Sequence, residues 1–311
     1  MECGNRSQLT HFILVGLPYP PALRVPLFLF FLLIYLLTLC GNLLVLLAVV
    51  LDRHLHKPMY WFLCHLSFID VAVSSVVVPK VVATFLPGGG DISFQGCVAQ
   101  LFFFHFLGCT ECLLYTVMAY DRVLAIYNPL RYGVIMNRRA CLCLAAGTWL
   151  VGSIHSTIQT LLTLRLHYGR DIWVGYIFCD VLAVLKLACG DTALNEMVAF
   201  GNIGFLAITL FLLILTSYVC IISAILRIRS FQGRHRAFST CVAHVTVVFI
   251  YCVPLTFTYF RPGSQHPLDS VVAVFYTTVT PFLNPLIYTL RNQEMKAALM
   301  RLVGHQKTAG T

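Results

Sequence analysis

The sequence predicts an all-α integral membrane protein built as a bundle of seven transmembrane helices. Of its 311 residues, 59% are hydrophobic and 11% are charged, whereas soluble domains are about 45–50% apolar and about 25% charged. A spanning segment in lipid must pair its own backbone groups, so long apolar runs are expected to be helices. Seven runs are close to or above the roughly 20 residues that cross the hydrocarbon. They lie at 25–51, 58–79, 98–120, 140–164, 197–226, 237–260 and 270–290, and we number them helices 1 to 7.

The distribution of Lys and Arg predicts the orientation of the chain. Fourteen of the 21 basic residues lie around the loops between helices 1 and 2, 3 and 4, and 5 and 6, or after helix 7. Because basic loops remain in the cytoplasm, the N-terminus is expected outside and the C-terminus inside. The net charge of +9 then reflects topology and anionic inner-leaflet lipid, so nucleic acid is not expected as a partner.

This orientation divides the chain into three parts. They are an extracellular N-terminal segment at 1–24, a transmembrane domain at 25–290 and a cytoplasmic part at 291–311. The sequon that begins at Asn5 falls outside, where it is a candidate for glycosylation. Residues 292–303 alternate basic and apolar side chains, which is typical of a short amphipathic helix along the inner interface.

Two acids lie inside the predicted membrane region. Asp70 is about midway along helix 2 and Glu111 is in helix 3, where a charged side chain is costly and usually marks a function. Asp70 has two candidate partners, Glu111 and Asn284 of helix 7. Two acids facing one cavity would share a proton or hold a cation. We therefore expect a small-cation or proton site, with a purely structural hydrogen bond as the alternative.

One face of helix 3 is a candidate cavity wall. Phe104, His105, Gly108, Cys109 and Cys112 recur at helical spacing and so share a face. An aromatic ring, one imidazole and small residues could line a cavity in the outer half. The alternative is ordinary packing with a satisfied His105.

The loop from about 165 to 196 is longer than a helix connection needs, and long ordered loops are often lids. It could cap a cavity from outside. Cys97 opens helix 3 on the same side, and Cys179 and Cys189 lie in this loop. An oxidising compartment makes a bridge from Cys97 to the loop plausible.

Helices 6 and 7 contain internal prolines. Pro254 is expected to interrupt helix 6 and to let one end swing. Helix 7 carries Pro281 and the run from Asn284-Pro285 to Tyr288, so we expect a second helix that is interrupted by proline. Its polar side chains could form hydrogen bonds with the backbone groups that proline leaves unpaired.

Five separated strings carry a family resemblance. They are PMYWFLCHLSFID at 58–70, MAYDR at 118–122, AIYNPLRY at 125–132, RAFSTCVAH at 236–244 and PFLNPLIYTLRN at 281–292. Together and in this order they resemble the vertebrate olfactory (odorant) receptors, within the rhodopsin-like (class A) G-protein-coupled receptors. The resemblance covers essentially the whole chain. Val123 and Tyr127 depart from the family's usual string after Asp-Arg.

The resemblance implies roles for matching residues. Asp121 and Arg122 would form the inner switch pair, with Arg122 facing the G protein after activation. Cys97 with Cys179 would be the disulfide, and Asp70 with Glu111 would hold sodium. The full set implied for the G-protein switch is Asp121, Arg122, Tyr218, Asn284, Pro285 and Tyr288.

We therefore expect an odorant-activated G-protein-coupled receptor and not an enzyme. It would bind a small, mostly apolar volatile in an outer-half cavity among helices 3, 5, 6 and 7. The resemblance implies a heterotrimeric stimulatory olfactory G protein as partner, cAMP as the signal and the plasma membrane of olfactory neuron cilia as the location. No cofactor beyond a sodium ion is expected. The candidate lining residues are Phe104, His105, Gly108, Cys109, Asn202, Phe205, Tyr251, Thr256 and Tyr259.

The alternative function is a membrane transporter of a small solute. Such a protein would have paired broken helices in two repeated halves. Pro254 and Pro285 are expected to have no counterparts in helices 1 to 3, which disfavours this alternative.

Overall fold

A computed structural model of the protein describes residues 10–169, 172–226, 230–259 and 267–308. Within these ranges the side chains of 202, 203, 205–207, 210, 225, 231–241, 243, 244, 267, 290, 291 and 303–308 are not described. The predicted segments are helical over their described residues. The long helices are α1 (Arg24–Leu51), α2 (Pro58–Thr84), α3 (Phe94–Tyr127), α4 (Arg138–Leu164), α5 (193–226), α6 (Phe231–Tyr259), α7 (267–291) and α8 (Gln293–Thr308).

Two of these helices contain a π-helical turn. In α5 the turn Phe200–Gly204 joins Ala193–Ala199 to Phe205–Leu226. In α7 the turn Phe275–Val279 joins Pro267–Val274 to Thr280–Arg291. Such turns are rare and occur often at functional sites.

The helices pack as a bundle around α3. This helix contacts α2, α4 and α5, while α1 packs against α2 and α7, and α6 packs between α5 and α7. Among the described residues, five helices are long and apolar enough to cross a membrane, with shorter apolar stretches in α5 and α6 at Phe211–Ala224 and Val245–Tyr259. The protein is therefore a helical membrane protein with several membrane-capable helices, while seven crossings and their sidedness remain predictions.

Large apolar side chains cover the outward face of α1, as expected for a helix that faces lipid tails. A face of this kind needs no partner helix. The exposed residues there include Val25, Leu29, Phe30, Leu33 and Leu36.

The prolines behave differently from the sequence prediction. Helix α6 is continuous from Phe231 to Tyr259 and contains Pro254, so Pro254 does not interrupt the helix as expected. Pro285 likewise lies inside an α-helical segment, and the irregular turn of α7 precedes Pro281. The expectation that helices 1 to 3 hold no counterpart was wrong, because Pro79 lies inside α2, which continues to Thr84.

The N-terminal segment is tied to two outer loops by a small sheet. Strand β1 (His11–Leu14) pairs antiparallel with β2 (Asp91–Ser93) and parallel with β4 (Trp173–Val174). A second pair joins β3 (His167–Tyr168) to β5 (Ala188–Cys189). Phe12 and Leu14 point into the protein and are buried, so the sheet closes the end of the bundle where α3 begins.

At the other end, α8 is held by two ion pairs. Arg301 Nη2 lies 2.5 Å from Asp52 Oδ2, and Lys57 Nζ lies 2.7 Å from Glu294 Oε2. The hydrogen bond from Arg301 is the main cause that lowers the pKa of Asp52. Asn292 Oδ1 accepts from Glu294 N at 3.1 Å and thus caps the start of α8. A helix is therefore present where one was predicted at 292–303, and it extends further along the chain; its position at the membrane interface stays a prediction.

The contact between α3 and α4 depends on Gly152. A Cβ at this position would lie 2.2 Å from Thr110 Oγ1 and 2.9 Å from the backbone oxygen of Phe106. Backbone atoms in a packed helix cannot move away cheaply, so only glycine permits this approach. In contrast, a Cβ at the exposed Gly147 of the same helix would meet nothing within 4 Å.

We predict that Gly152→Ala destabilises the protein by roughly 1–3 kcal/mol through overpacking. Gly147→Ala is the matched control, since it gains helix propensity without a new contact. Thermal unfolding of the purified protein in detergent measures both variants. Equal melting temperatures for Gly152→Ala and wild type would contradict the close approach of α3 and α4.

Candidate functional site

The loop before α5 folds into the outer end of the bundle. Its segment from Tyr176 to Asp180 is buried, and the exposed fraction of every side chain in it is 4% or less. We call residues 176–180 the lid segment. The disulfide implied by the resemblance is present, because Cys97 at the start of α3 is bonded to Cys179.

Gln100 adds a second attachment between the lid segment and the helices. Its Oε1 accepts a hydrogen bond from Cys179 N at 2.8 Å, and its Nε2 donates to Val76 O of α2 at 2.9 Å. The lid segment is thereby fixed to α3 through a covalent bond and a buried hydrogen bond.

The predicted face of α3 lies directly beneath the lid segment. Phe104, His105 and Cys109 are buried, and the ring of Phe104 lies 4.4 Å from the ring of Phe178. The spacing argument that grouped these residues was therefore correct about their shared inward face. Whether they contact a ligand stays a prediction.

Tyr251 of α6 joins the same region. Its hydroxyl donates to Gly108 O at 3.2 Å, and Cys112 Sγ donates to that hydroxyl at 3.8 Å. A Cβ at Gly108 would lie 3.5 Å from Tyr251 Oη, which is an ordinary van der Waals distance, so this contact does not require glycine at position 108.

Asp180 is a buried acid in the lid segment that the sequence analysis did not select. Tyr259 of α6 donates to its Oδ1 at 2.7 Å, and Leu182 N donates to Oδ2 at 3.2 Å. His105 Nε2 lies 3.3 Å from the same Oδ1 but does not complete a hydrogen bond in this geometry. Its position directly after the bridged Cys179 was the signal that could have identified it.

Tyr276, in the π-helical turn of α7, was also missed. Its hydroxyl lies 2.9 Å from the hydroxyl of Tyr176, and its ring is 6.1 Å from that of Phe104. Burial raises the pKa of Tyr176, so this phenol remains protonated and available for hydrogen bonding. The lid segment thus contacts α3, α6 and α7 through polar side chains.

The remaining predicted lining residues are less informative. Thr256 is half-buried on α6. The side chains of Asn202 and Phe205 lie outside the described residues, so their assignment to the cavity stays a prediction.

A chain of buried hydrogen bonds crosses the middle of the bundle. Asn284 Nδ2 donates to both oxygens of Asp70, at 3.0 and 2.9 Å, and lies 3.2 Å from Tyr115 Oη. Tyr115 Oη donates to Glu111 Oε1 at 2.9 Å. Asn284, one of the two candidate partners of Asp70, is its direct partner, and Glu111 is connected to Asp70 through Tyr115 and Asn284 in turn.

The polar core also contains oxygen atoms that could bind a cation. Among the described buried atoms, Ser74 Oγ, Asn284 Oδ1 and Asn42 Oδ1 have no hydrogen-bond partner. Hard cations prefer carboxylate, amide and hydroxyl oxygens, so Asp70, Glu111 and these oxygens have suitable chemistry. In the described part of the chain no group of three or more His, Cys, Asp or Glu side chains could hold a metal ion.

The inner end of α3 carries the predicted switch pair. Asp121 Oδ1 accepts from Tyr132 Oη at 2.7 Å, and Tyr132 belongs to the short helix Tyr132–Ile135. Burial and the neighbouring Asp121 carboxylate raise the pKa of Tyr132, which keeps the donor protonated. Arg122 is half-buried and close enough to Tyr60 and Tyr132 to interact with both electrostatically.

Two other predicted switch residues face inward near this end. Tyr288 of α7 and Tyr218 of α5 are each 5% exposed. The hydroxyl of Tyr288 has no hydrogen-bond partner among the described atoms, and Arg122 lies within its electrostatic range. The switch roles themselves stay predictions.

These features together describe a multi-pass helical membrane protein whose outer end is closed by a disulfide-anchored loop and whose centre is polar. The family model described as olfactory receptor matches residues 31–306. The chain therefore belongs to the olfactory receptor family, whose members are receptors and not enzymes.

Three human relatives illustrate the similarity. Olfactory receptor 10G6 is 61% identical over 307 residues, covering 99% of this chain and 92% of the relative. Olfactory receptor 10G7 is 57% identical over 300 residues, covering 96% of each chain. Olfactory receptor 10G3 is 55% identical over 309 residues, covering 99% of each chain.

We predict that Cys97→Ser abolishes delivery of the protein to the cell surface, because the lid segment loses its covalent anchor to α3. Cys143→Ser is the control, since Cys143 is an exposed thiol outside the disulfide. Antibody staining of an N-terminal tag on intact cells measures delivery. Normal staining of Cys97→Ser would show that the bridge is dispensable.

Proposed function

We propose that this protein is an odorant-activated G-protein-coupled receptor that signals through a stimulatory olfactory G protein to raise cAMP. Its ligand is a small, mostly apolar volatile held in the outer half of the bundle among α3, α5, α6 and α7. The observation that carries this proposal is the convergence of three buried groups beneath the lid segment. These are Phe104 and His105 of α3, Tyr251 and Tyr259 of α6, and Tyr276 of α7.

The chemistry of this region suits such a ligand. Aromatic rings and the Cys109 side chain offer apolar contact, while the Tyr251 hydroxyl and His105 Nε2 offer a few polar contacts. Small-molecule sites are commonly apolar with a small number of well-placed polar groups.

Ligand binding can signal only if the ligand binds the active arrangement more tightly than the inactive one. A shift of the population from 1:99 to 99:1 requires about 5.5 kcal/mol of differential affinity. Even the best tiny ligands gain no more than about 1.5 kcal/mol per heavy atom. A volatile of few atoms is therefore expected to be a micromolar agonist.

The cytoplasmic partner would meet the inner ends of α3, α5 and α7. Arg122 is the proposed contact that becomes available on activation, and Asp121 with Tyr132 is the proposed restraint on the inactive side. The tyrosines Tyr218 and Tyr288, with Asn284 and Pro285, would rearrange with it. The orientation that brings this end to the cytoplasm follows from the distribution of Lys and Arg.

We further propose that the polar core holds a sodium ion between Asp70 and Glu111, with a shared proton as the alternative. The ion would supply positive charge to two acids buried in an apolar bundle. The unpartnered oxygens of Ser74 and Asn284 support this proposal. Glycosylation of Asn5, which lies outside the described residues, remains a prediction.

We predict that Arg122→Ala abolishes the odorant-stimulated rise in cAMP, because the proposed G-protein contact is removed while the outer site is intact. Arg139→Ala is the control, since this exposed arginine at the start of α4 is not part of the proposed switch. Both variants are compared with wild type in cells, with an odorant panel, a cAMP reporter and equal surface expression. An undiminished response of Arg122→Ala would refute the switch assignment.

We predict that sodium raises the melting temperature of the purified receptor relative to an equal concentration of N-methylglucamine. Sodium at about tenfold its dissociation constant would add about 1.4 kcal/mol of stability. Asp70→Asn is expected to lose this dependence, whereas Asp91→Asn in the outer loop keeps it. Stability that varies with pH but not with sodium would favour the shared proton.

A further inference from the structure

The lid segment and α3 form one mechanical unit. Cys179 is covalently bonded to Cys97, and its backbone N–H donates to Gln100 of the same helix at 2.8 Å. Any rearrangement beneath the lid segment must therefore move other helices relative to this unit.

Asp180 connects this unit to α6. Its Oδ1 accepts from Tyr259 Oη at 2.7 Å, and both side chains are 2% exposed. Hydrogen bonds to an ionised acceptor are stronger than neutral ones, and a low-dielectric interior strengthens them further. This contact is thus a strong polar link between the lid segment and the outer end of α6.

The Tyr259–Asp180 hydrogen bond lies on the outer side of Pro254, a position at which α6 can bend. Pro254, five residues before Tyr259, removes a backbone hydrogen bond of the helix, and prolines are common sites of helix bending. A rotation of the outer turn about Pro254 would carry Tyr259 away from Asp180, because the lid segment cannot follow.

Asp180 has a second neighbour that could replace Tyr259. His105 Nε2 lies 3.3 Å from the same Oδ1, is buried and makes no hydrogen bond among the described atoms. The carboxylate therefore lies between a partner on α6 and an unsatisfied group on α3.

We propose that Asp180 is the positioning residue through which the lid segment restrains α6. The Tyr259–Asp180 hydrogen bond holds the outer turn of α6 in the arrangement described here, and a ligand that settles between His105 and Tyr259 breaks it. Asp180 then keeps His105 Nε2 as its neighbour on α3, 3.3 Å from Oδ1, while α6 is free to rotate about Pro254. This inference rests on the proposed receptor function and adds a specific restraint to it.

The test measures agonist-independent cAMP at equal surface expression for Asp180→Ala, which removes the acceptor, for Tyr259→Phe, which removes the donor, and for the double variant. Loss of a hydrogen bond to a charged group changes an equilibrium constant by roughly 10- to 100-fold, so each single variant is expected to raise basal cAMP at least about threefold. The double variant should match the single ones, because both changes remove the same bond. Tyr168→Phe is the control, since it removes an equally buried hydroxyl that donates to Thr163 O at 2.8 Å in the same loop. It should leave basal cAMP unchanged.

Unchanged or lowered basal cAMP in both single variants would overturn the proposal. So would additive effects in the double variant, since they would mean that the two residues act independently. The melting temperatures of the purified wild type, the two single variants and the double variant are also compared. This measurement needs no G protein. A receptor that never raises cAMP would refute the proposed function, and additive melting shifts would separately refute the Asp180–Tyr259 coupling.

Discussion

The hydrogen bond from Asn284 to Asp70 is the contact on which the arrangement of the bundle most depends. Helices in lipid gain no association energy from burying apolar side chains, because the lipid tails are equally apolar. Close packing, as at Gly152, and specific polar contacts must therefore decide which helices meet and at what depth. Asn284 contacts Asp70 of α2 and Tyr115 of α3, so three helices are brought into register at one point. Asn42 extends this set to α1 through its bond to Pro281 O at 3.0 Å.

A different set of contacts organises the outer end. There the chain contributes a buried loop whose backbone and side chains bond to α3, α6 and α7. A buried loop is unusual, because its backbone polar groups need partners. Cys179 obtains one from Gln100, and Asp180 supplies its own carboxylate to Leu182 N. The outer end is thereby closed by specific bonds, while the polar core holds the middle.

Much of this organisation could be predicted from the sequence, because apolar runs and single buried acids are local signals. The helical segments, the inward face of α3 and Asn284 as one of two candidate partners of Asp70 were predicted in this way. The ends of α3 were not, since Ser93 caps its start through Gly96 N and the helix continues past the charged pair Asp121 and Arg122 to Tyr127. Asp180 was missed because an acid in a loop is ordinarily solvated, and only the long-range bridge buries it. The strands were missed because runs of two to four residues carry too little pattern to be recognised.

The small sheet at the outer end has a consequence for how the protein is made. Strand β1 leaves the ribosome well before its parallel partner β4, which follows about 160 residues later, and such distant pairings close slowly. Until then β1 can pair only with β2. Its second edge is an open template for any extended segment nearby. The N-terminal segment is thus completed late in biogenesis, when Ile13 and Trp173 finally become neighbours.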